Sequence, residues 1–257
     1  MSLLEMMLFI AAGVLAGFIN TIAGSGSIIT LSALSFMGLP SPIANATNRV
    51  GVLAQSLVGS ATLYRATKTE SFEILWWQVI PGTVGGILGT ITVVNIPEIW
   101  LDRVIGLLLV FVLVLVLTNS EAWLKKQSTV KGNQRGLLSI LIYLIIGFYG
   151  GFVQVAVGIF IMAAAVLFSG FNIKYANLIK ALLVVAFTIP SVVIFQLQHM
   201  IVWKAGMVLA IGQMAGAYTA AKFMIRFPDA NRWVRRILVM MIIIGIFQFF
   251  HLMKWFT

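Results

Sequence analysis

Residues 17–27 read Gly-Phe-Ile-Asn-Thr-Ile-Ala-Gly-Ser-Gly-Ser, and they lie in the middle of an apolar segment that extends from residue 6 to residue 37. A transmembrane helix needs about 20 residues to cross the hydrocarbon core, so this segment is too long for one straight span. Irregular backbone at membrane depth occurs only where it is buried in protein or lines a cavity. We therefore predict a broken helix, with its break at Gly24-Ser25-Gly26-Ser27.

The break also predicts a binding site. A helix that restarts at Ser25 to Ser27 would direct free backbone N–H groups, and the positive end of its dipole, at a bound anion. The alternative is a Gly/Ser notch that lets two helices pack closely. A second long apolar segment, residues 136–169, is interrupted around Gly158, in less polar surroundings.

The composition is that of a membrane protein. Hydrophobic residues make up 61% of the 257 and charged residues 9%, against roughly 45–50% and about 25% in soluble domains. We predict an all-α, polytopic helical protein whose partner is the lipid bilayer. The predicted apolar segments are residues 6–37, 42–64, 73–94, 98–119, 136–169, 173–198, 201–223 and 233–253.

Charge and chemistry narrow the function classes. The net charge of +10 fits basic loops that face an anionic cytoplasmic leaflet better than nucleic-acid binding, and we expect no nucleic-acid partner. The chain has no Cys, and its two His do not cluster. With no carboxylate pair in the middle of an apolar segment either, we expect no enzyme activity, no metal site and no cofactor.

The chain divides into two halves that resemble each other. We predict a first repeat over residues 1–120, a basic cytoplasmic linker over 121–135 and a second repeat over 136–257. Features recur in the same order, which indicates an internal duplication. The matched pairs include Gly17 and Gly151, Asn20 and Gln154, Gly24 and Gly158, Asn45 and Asn177, Trp76 and Trp203, Gly85 and Gly212, and Gly89 and Gly216.

The basic residues test the topology. If all eight segments cross, Lys and Arg divide almost evenly between the two sides, which gives no orientation. If the first and fifth segments are re-entrant hairpins, only Arg103, Lys204 and Lys254 remain outside, opposite the basic linker and the other loop cations. Since cytoplasmic loops carry the Lys/Arg excess, we predict two inverted repeats, each with one re-entrant, broken helical hairpin and three transmembrane helices. Full crossing of both segments stays open.

Two cations lie inside apolar stretches, Arg49 and Lys180, while no Asp or Glu lies near the middle of one. A charged side chain at mid-bilayer costs roughly 2.5–3.5 kcal/mol on insertion scales. We therefore predict that both cations await an external anion, although Arg49 could also reach the interface along its helix. The candidate anion-binding residues are Asn20, Gly24, Ser25, Gly26, Ser27, Asn45, Asn48, Arg49, Gln154, Gly158, Asn177 and Lys180. The amides among them could instead only link helices.

Several motifs resemble the TauE/SafE family of sulfite-exporter-like membrane transporters. They are Ala16-Gly17-Phe18, Ala23-Gly24-Ser25-Gly26-Ser27, Gly38-Leu39-Pro40 and Ala46-Thr47-Asn48, with Gly170-Phe171-Asn172 in the second half. The resemblance covers nearly the whole chain. It implies movement of sulfite, organosulfonates or related sulfur-containing anions across a bacterial inner membrane. The glycine-poor second break departs from the family pattern.

Together, the residues and the resemblance predict a secondary transporter for a small anion. It would work by alternating access between inverted halves, with export driven by the membrane potential. An anion channel, an uptake transporter for another small carboxylate or oxyanion, and a structural membrane subunit are the alternatives. A homodimer is compatible with the sequence.

Overall fold

The computed structural model describes residues 3–66, 76–118, 136–169, 171, 173–226 and 243, and these are helical apart from short connections. The helices are α1 (Leu3–Ala23), α2 (Ser27–Phe36), α3 (Ser41–Ala66), α4 (Trp76–Val94), α5 (Glu98–Thr118), α6 (Leu137–Phe152), α7 (Val157–Ala163), α8 (Ile173–Leu197) and α9 (Trp203–Arg226), with a π-helical turn at Ala164–Phe168. The all-α prediction is confirmed. The basic linker lies outside the described residues, as does the segment 233–253 apart from residue 243.

Three helices in the described part of the chain are long and apolar enough to cross a membrane. They span Leu3–Ala23, Trp76–Val94 and Tyr175–Leu197. The predicted segments match the helices closely, and the first long segment is indeed split into α1 and α2. Because α1 alone could cross, the placement of this hairpin in the membrane stays a prediction.

The chain reverses direction between α1 and α2. Gly24 has a φ of +76°, a left-handed conformation that glycine adopts without steric cost. Gly26 then packs against Ala16 and Asn20, so α2 returns along the end of α1. The ten residues of α2 extend only about 15 Å at 1.5 Å per residue, roughly half of the hydrocarbon core.

The second break lies before Gly158, not around it, which corrects the predicted position. Helix α6 ends at Phe152 and α7 already begins at Val157. Between them Gln154 and Ala156 have φ values of 64° and 54°. These are left-handed conformations that non-glycine residues rarely adopt. Because neither residue is a glycine, their residue types did not mark the break in the sequence.

Glycine-lined contacts join the two halves in two matching interfaces. Gly212 and Gly216 of α9 lie against α1, where added methyl groups would meet backbone atoms. Gly85 and Gly89 of α4 lie against α6 in the same way. The backbone atoms met in α1 belong to Ile10, Gly13, Val14 and Phe18, and those in α6 belong to Leu144, Phe148 and Phe152. The Gly-xxx-Gly spacing within each helix is typical of such close helix packing.

The contacts of α3 and α8, which correspond to each other in the two predicted repeats, show that they run antiparallel. Arg49, near the start of α3, lies over the ring of Phe195 near the end of α8 at 5.7 Å. Just before α9, the N–H of Val202 donates to Thr47 Oγ1 at 3.1 Å. This arrangement is the one that inverted repeats require, while the orientation of each half in the membrane stays a prediction.

Candidate functional site

A cavity of about 30 Å³ lies where the two helix breaks meet α3 and α8. A site of roughly 10–15 Å³ holds one water, so this one accepts a very small ligand without rearrangement. It follows α3 from Val52 to Leu63. The lining residues are Asn20, Thr21, Ser27, Val52, Gln55, Ser56, Gly59, Leu63, Gln154, Val157, Gly158, Asn177, Lys180, Ala181 and Val184. Within this lining of described residues Lys180 is the one charged side chain.

Lys180 is buried, and its ammonium faces neutral acceptors. Its Nζ donates to the carbonyl of Thr21 at 2.8 Å and to Asn177 Oδ1 at 2.9 Å, with the carbonyl of Asn20 at 3.4 Å. These carbonyls belong to the last turn of α1, the negative end of the helix dipole. The hydrogen bonds position the ammonium, but its full positive charge has no anionic partner among them.

The first break presents the opposite kind of helix end. Ser27, the first residue of α2, lines the cavity, and the N–H groups of Ser25, Gly26 and Ser27 have no backbone acceptor in the described part of the chain. The hydroxyl of Ser25 is buried and also has no partner there. Since Lys180 satisfies the carbonyl end of α1, the unsatisfied groups at this break are hydrogen-bond donors. Such a set fits an anion.

The two breaks touch each other at the glycines that the sequence pairs. The N–H of Gly158 donates to the carbonyl of Gly24 at 3.1 Å. A methyl group on Gly24 would lie 2.6 Å from Gly158 Cα, so neither position leaves room for a side chain. Gly24, Gly158 and the matched pair Asn20 and Gln154 therefore lie near the same point, between the halves.

Arg49 does not line the cavity in this structure. It is fully buried, and its guanidinium donates to the carbonyls of Gly150 and Gly151, the latter at 2.8 Å, and to Gln154 Oε1 at 2.8 Å. The carbonyls are in the last turn of α6. Arg49 thus stabilises the end of α6 as Lys180 stabilises the end of α1, each cation acting across the two halves.

The amides near Arg49 also lie outside the cavity lining. Asn45 accepts from Arg49 at 3.3 Å and donates to the carbonyl of Phe152 at 2.8 Å. Asn48 accepts from the hydroxyl of Thr30 at 2.6 Å, while its buried Nδ2 has no partner among the described residues. The structure therefore brings together Asn20, Ser27, Gln154, Gly158, Asn177 and Lys180 on the wall, and leaves Gly24, Ser25, Gly26, Asn45, Asn48 and Arg49 behind it.

The cavity is also lined by Thr21, Gln55, Ser56 and Gly59, which are not among the predicted binding residues. A signal for two of them was present. Asn48, Gln55 and Gly59 are spaced by seven and four residues, which places them on one face of α3. The Oε1 atom of Gln55 is buried without a partner in the described part of the chain, so the cavity also offers a polar group that a ligand could bind.

Comparisons with known proteins agree with this picture. The family model described as "Sulfite exporter TauE/SafE" matches residues 9–249. A probable membrane transporter protein of Haemophilus influenzae is 28% identical over 211 residues, which cover 82% of this chain and 81% of the relative. The probable membrane transporter protein YfcA of Escherichia coli K12 is 29% identical over 228 residues, 87% of this chain and 81% of YfcA. No solved structure matches the chain.

Proposed function

Since this chain belongs to the TauE/SafE family and is a membrane transporter, we propose that its substrate is a small sulfur-containing oxyanion, such as sulfite or an organosulfonate. The observation that carries the proposal is the cavity at the helix breaks, whose one charged lining residue in the described chain is Lys180. A buried cation without a counter-ion is costly, and a bound anion offsets that cost. The substrate would replace one of the neutral acceptors of the ammonium.

The remaining groups favour an oxyanion over a simple halide. Ser27 at the start of α2 and the amide residues Asn20, Gln154 and Asn177 line the cavity from several directions. Each oxygen of a sulfite or sulfonate group can accept hydrogen bonds from a different donor. The small size of the cavity restricts the substrate to a compact anion.

The structure favours a transporter over a continuous pore. The cavity extends from the breaks along the second half of α3. On the other side of the breaks, Phe187 and Phe195 of α8 are buried and fill the space. This arrangement supports alternating access between the two halves. Export down the membrane potential, out of the bacterial cytoplasm and across the inner membrane, is the direction that we propose for an anion.

The test is anion flux into proteoliposomes with sulfite, a small sulfonate, sulfate and chloride. Lys180→Gln removes the charge of the cavity, and Lys204→Gln removes an exposed charge at the start of α9 as the matched control. Hydrogen bonds to charged groups contribute about 1.5–3 kcal/mol, so we expect Lys180→Gln to raise the half-saturating sulfite concentration about tenfold or more. Lys204→Gln should behave as the natural chain does.

Two results would count against the proposal. Saturable flux of a sulfur anion that is the same in the natural chain and in Lys180→Gln would remove Lys180 from the site. Flux of chloride but of no sulfur anion would show that the substrate is not a sulfur-containing oxyanion. The thermal unfolding temperature of each variant, measured in detergent, separates lost binding from lost folding.

A further inference from the structure

The cavity lies on only one side of the point where the two breaks meet. Gln55, Ser56 and Gly59 of α3 line it on one side. The sequence spacing that relates Asn45 to Asn177 assigns Phe187, Thr188 and Ser191 of α8 as their counterparts. None of these three lines the cavity, and each is at most 1% exposed. The cavity along α3 therefore has no open counterpart along α8, where the corresponding side chains are buried.

Polar contacts hold the filled side together. Gln154 Nε2 donates to Thr188 Oγ1 at 3.0 Å. Thr90 of α4 and Ser191 share a hydrogen bond of 2.7 Å. The Thr90 hydroxyl lies 2.8 Å from the carbonyl of Gly86 in its own helix and 3.2 Å from that of Gly151. The ring of Phe187 packs against Gly86 and Gly150, so α4, α6 and α8 meet without a gap.

The open side lacks the bond that corresponds to Thr90–Ser191, because its residue types cannot form one. The counterpart of Ser191 is Gly59, and the counterpart of Thr90 is Ala217, from the spacing that relates Gly89 to Gly216. A methyl group on Gly59 would find Thr21 Oγ1 at 3.8 Å and Ala217 Cβ at 3.9 Å as its nearest atoms. The two positions lie side by side, but no hydrogen bond joins them.

We propose that Thr188, Ser191 and Phe187 line a second opening, which the Thr90–Ser191 and Gln154–Thr188 bonds close in this structure. Because α3 and α8 run antiparallel, the two openings would face opposite ends of the helices. The inference rests on the proposed transport function and deepens it, since substrate that enters along α3 would leave along α8.

The same matching assigns a role to Arg49. Its counterpart is Ala181, which lines the present cavity. When the second opening forms, Arg49 takes a position on the wall, and Asn48 takes the one that corresponds to Lys180. Arg49 must then release the carbonyls of Gly150 and Gly151, so it is the cation of the second opening as Lys180 is of the first.

The absence of natural Cys makes the proposal directly testable, because each single-Cys variant carries one thiol. Ser56→Cys reports on the present cavity and Thr188→Cys on the proposed opening. Sealed vesicles of each orientation are treated with a small anionic methanethiosulfonate. We expect Ser56→Cys to react from one side, and Thr188→Cys to react more slowly and from the other side.

The gate itself is tested by adding Thr90→Val to Thr188→Cys. The loss of one neutral hydrogen bond is worth about 0.5–1.5 kcal/mol, so the open population and the reaction rate should rise about two- to tenfold. The matched control is Thr92→Val, an exposed Thr of the same helix whose hydroxyl bonds only within α4. It should leave the rate unchanged.

Reaction of Thr188→Cys as fast as that of Ser56→Cys and from the same side would overturn the second opening. An unchanged rate with Thr90→Val would overturn the gate. If labelling follows the expectation while no sulfur anion is transported, the proposed substrate fails and the second opening stands. Labelling and flux therefore test the two proposals separately.

Discussion

Arg49 and Lys180 are each bound by the carbonyl end of a helix from the other half of the chain. Arg49 holds Gly150 and Gly151 at the end of α6, and Lys180 holds Thr21 at the end of α1. A positive charge near a helix C-terminus is favourable because the dipole ends negatively there. The two cations thus stabilise the broken helices, and the lysine also faces the cavity.

At the residue scale, we expect the forked guanidinium of Arg49 to be important for the stability of the fold. Arg49→Lys keeps the charge but cannot reach the carbonyls and Gln154 together, because an ammonium is compact. We expect the free energy of unfolding to fall by about 2–3 kcal/mol, seen as a lower unfolding temperature in detergent. Arg103→Lys, at an exposed Arg beside Trp100, is the control. Equal shifts for both variants would contradict this role.

Part of this residue chemistry could be predicted from the sequence. Asn45 and Arg49, and Asn177 and Lys180, are four and three residues apart, so each pair lies on one helix face. The carbonyl partners could not be predicted. They lie more than 100 residues away along the chain, and only the packing of the two halves brings them close.

At the scale of the elements, the two helix breaks differ in how their backbone is held. The first uses Gly24 at a positive φ, and its Gly/Ser composition was visible in the sequence. The second holds Gln154 at a positive φ through tertiary contacts, since its amide bonds both Arg49 and Thr188. A break fixed by distant partners leaves no local signal, and this explains why it was predicted around Gly158.

Because Gly24 contacts Gly158, we expect substitution by Ala to destabilise the protein more at Gly24 than at Gly38. Gly24 and Gly38 both have positive φ values, 76° and 82°, but only Gly24 has neighbours within 4 Å of an added methyl group. A left-handed conformation costs an L-residue roughly 1–2 kcal/mol. We expect Gly38→Ala to lose about that much stability, and Gly24→Ala to lose more and also to reduce flux.

Chemical unfolding in detergent measures both variants. The same loss of stability in both would show that backbone conformation alone matters at Gly24. It would also argue against a tight contact with Gly158.

At the scale of the whole molecule, the two halves pack against each other through two interfaces that match in sequence. Helix α1 packs on α9 through glycines, and α6 packs on α4 through the matching ones. The Gly-xxx-Gly spacing of both glycine pairs is visible in the sequence and is typical of such interfaces. The sequence did not reveal which side of the breaks is filled, because that depends on the hydrogen bond between Thr90 and Ser191, two residues from different halves.

We propose that the molecule carries a small sulfur-containing anion by alternating access, and counterflow distinguishes such a carrier from a channel. Proteoliposomes are loaded with unlabelled sulfite and diluted into a trace of labelled sulfite. A carrier that exchanges substrate across the bilayer will accumulate label transiently above its outside concentration, and Lys180→Gln should reduce that accumulation. Label that only equilibrates, without a transient excess and without saturation, would identify a channel and rule out alternating access.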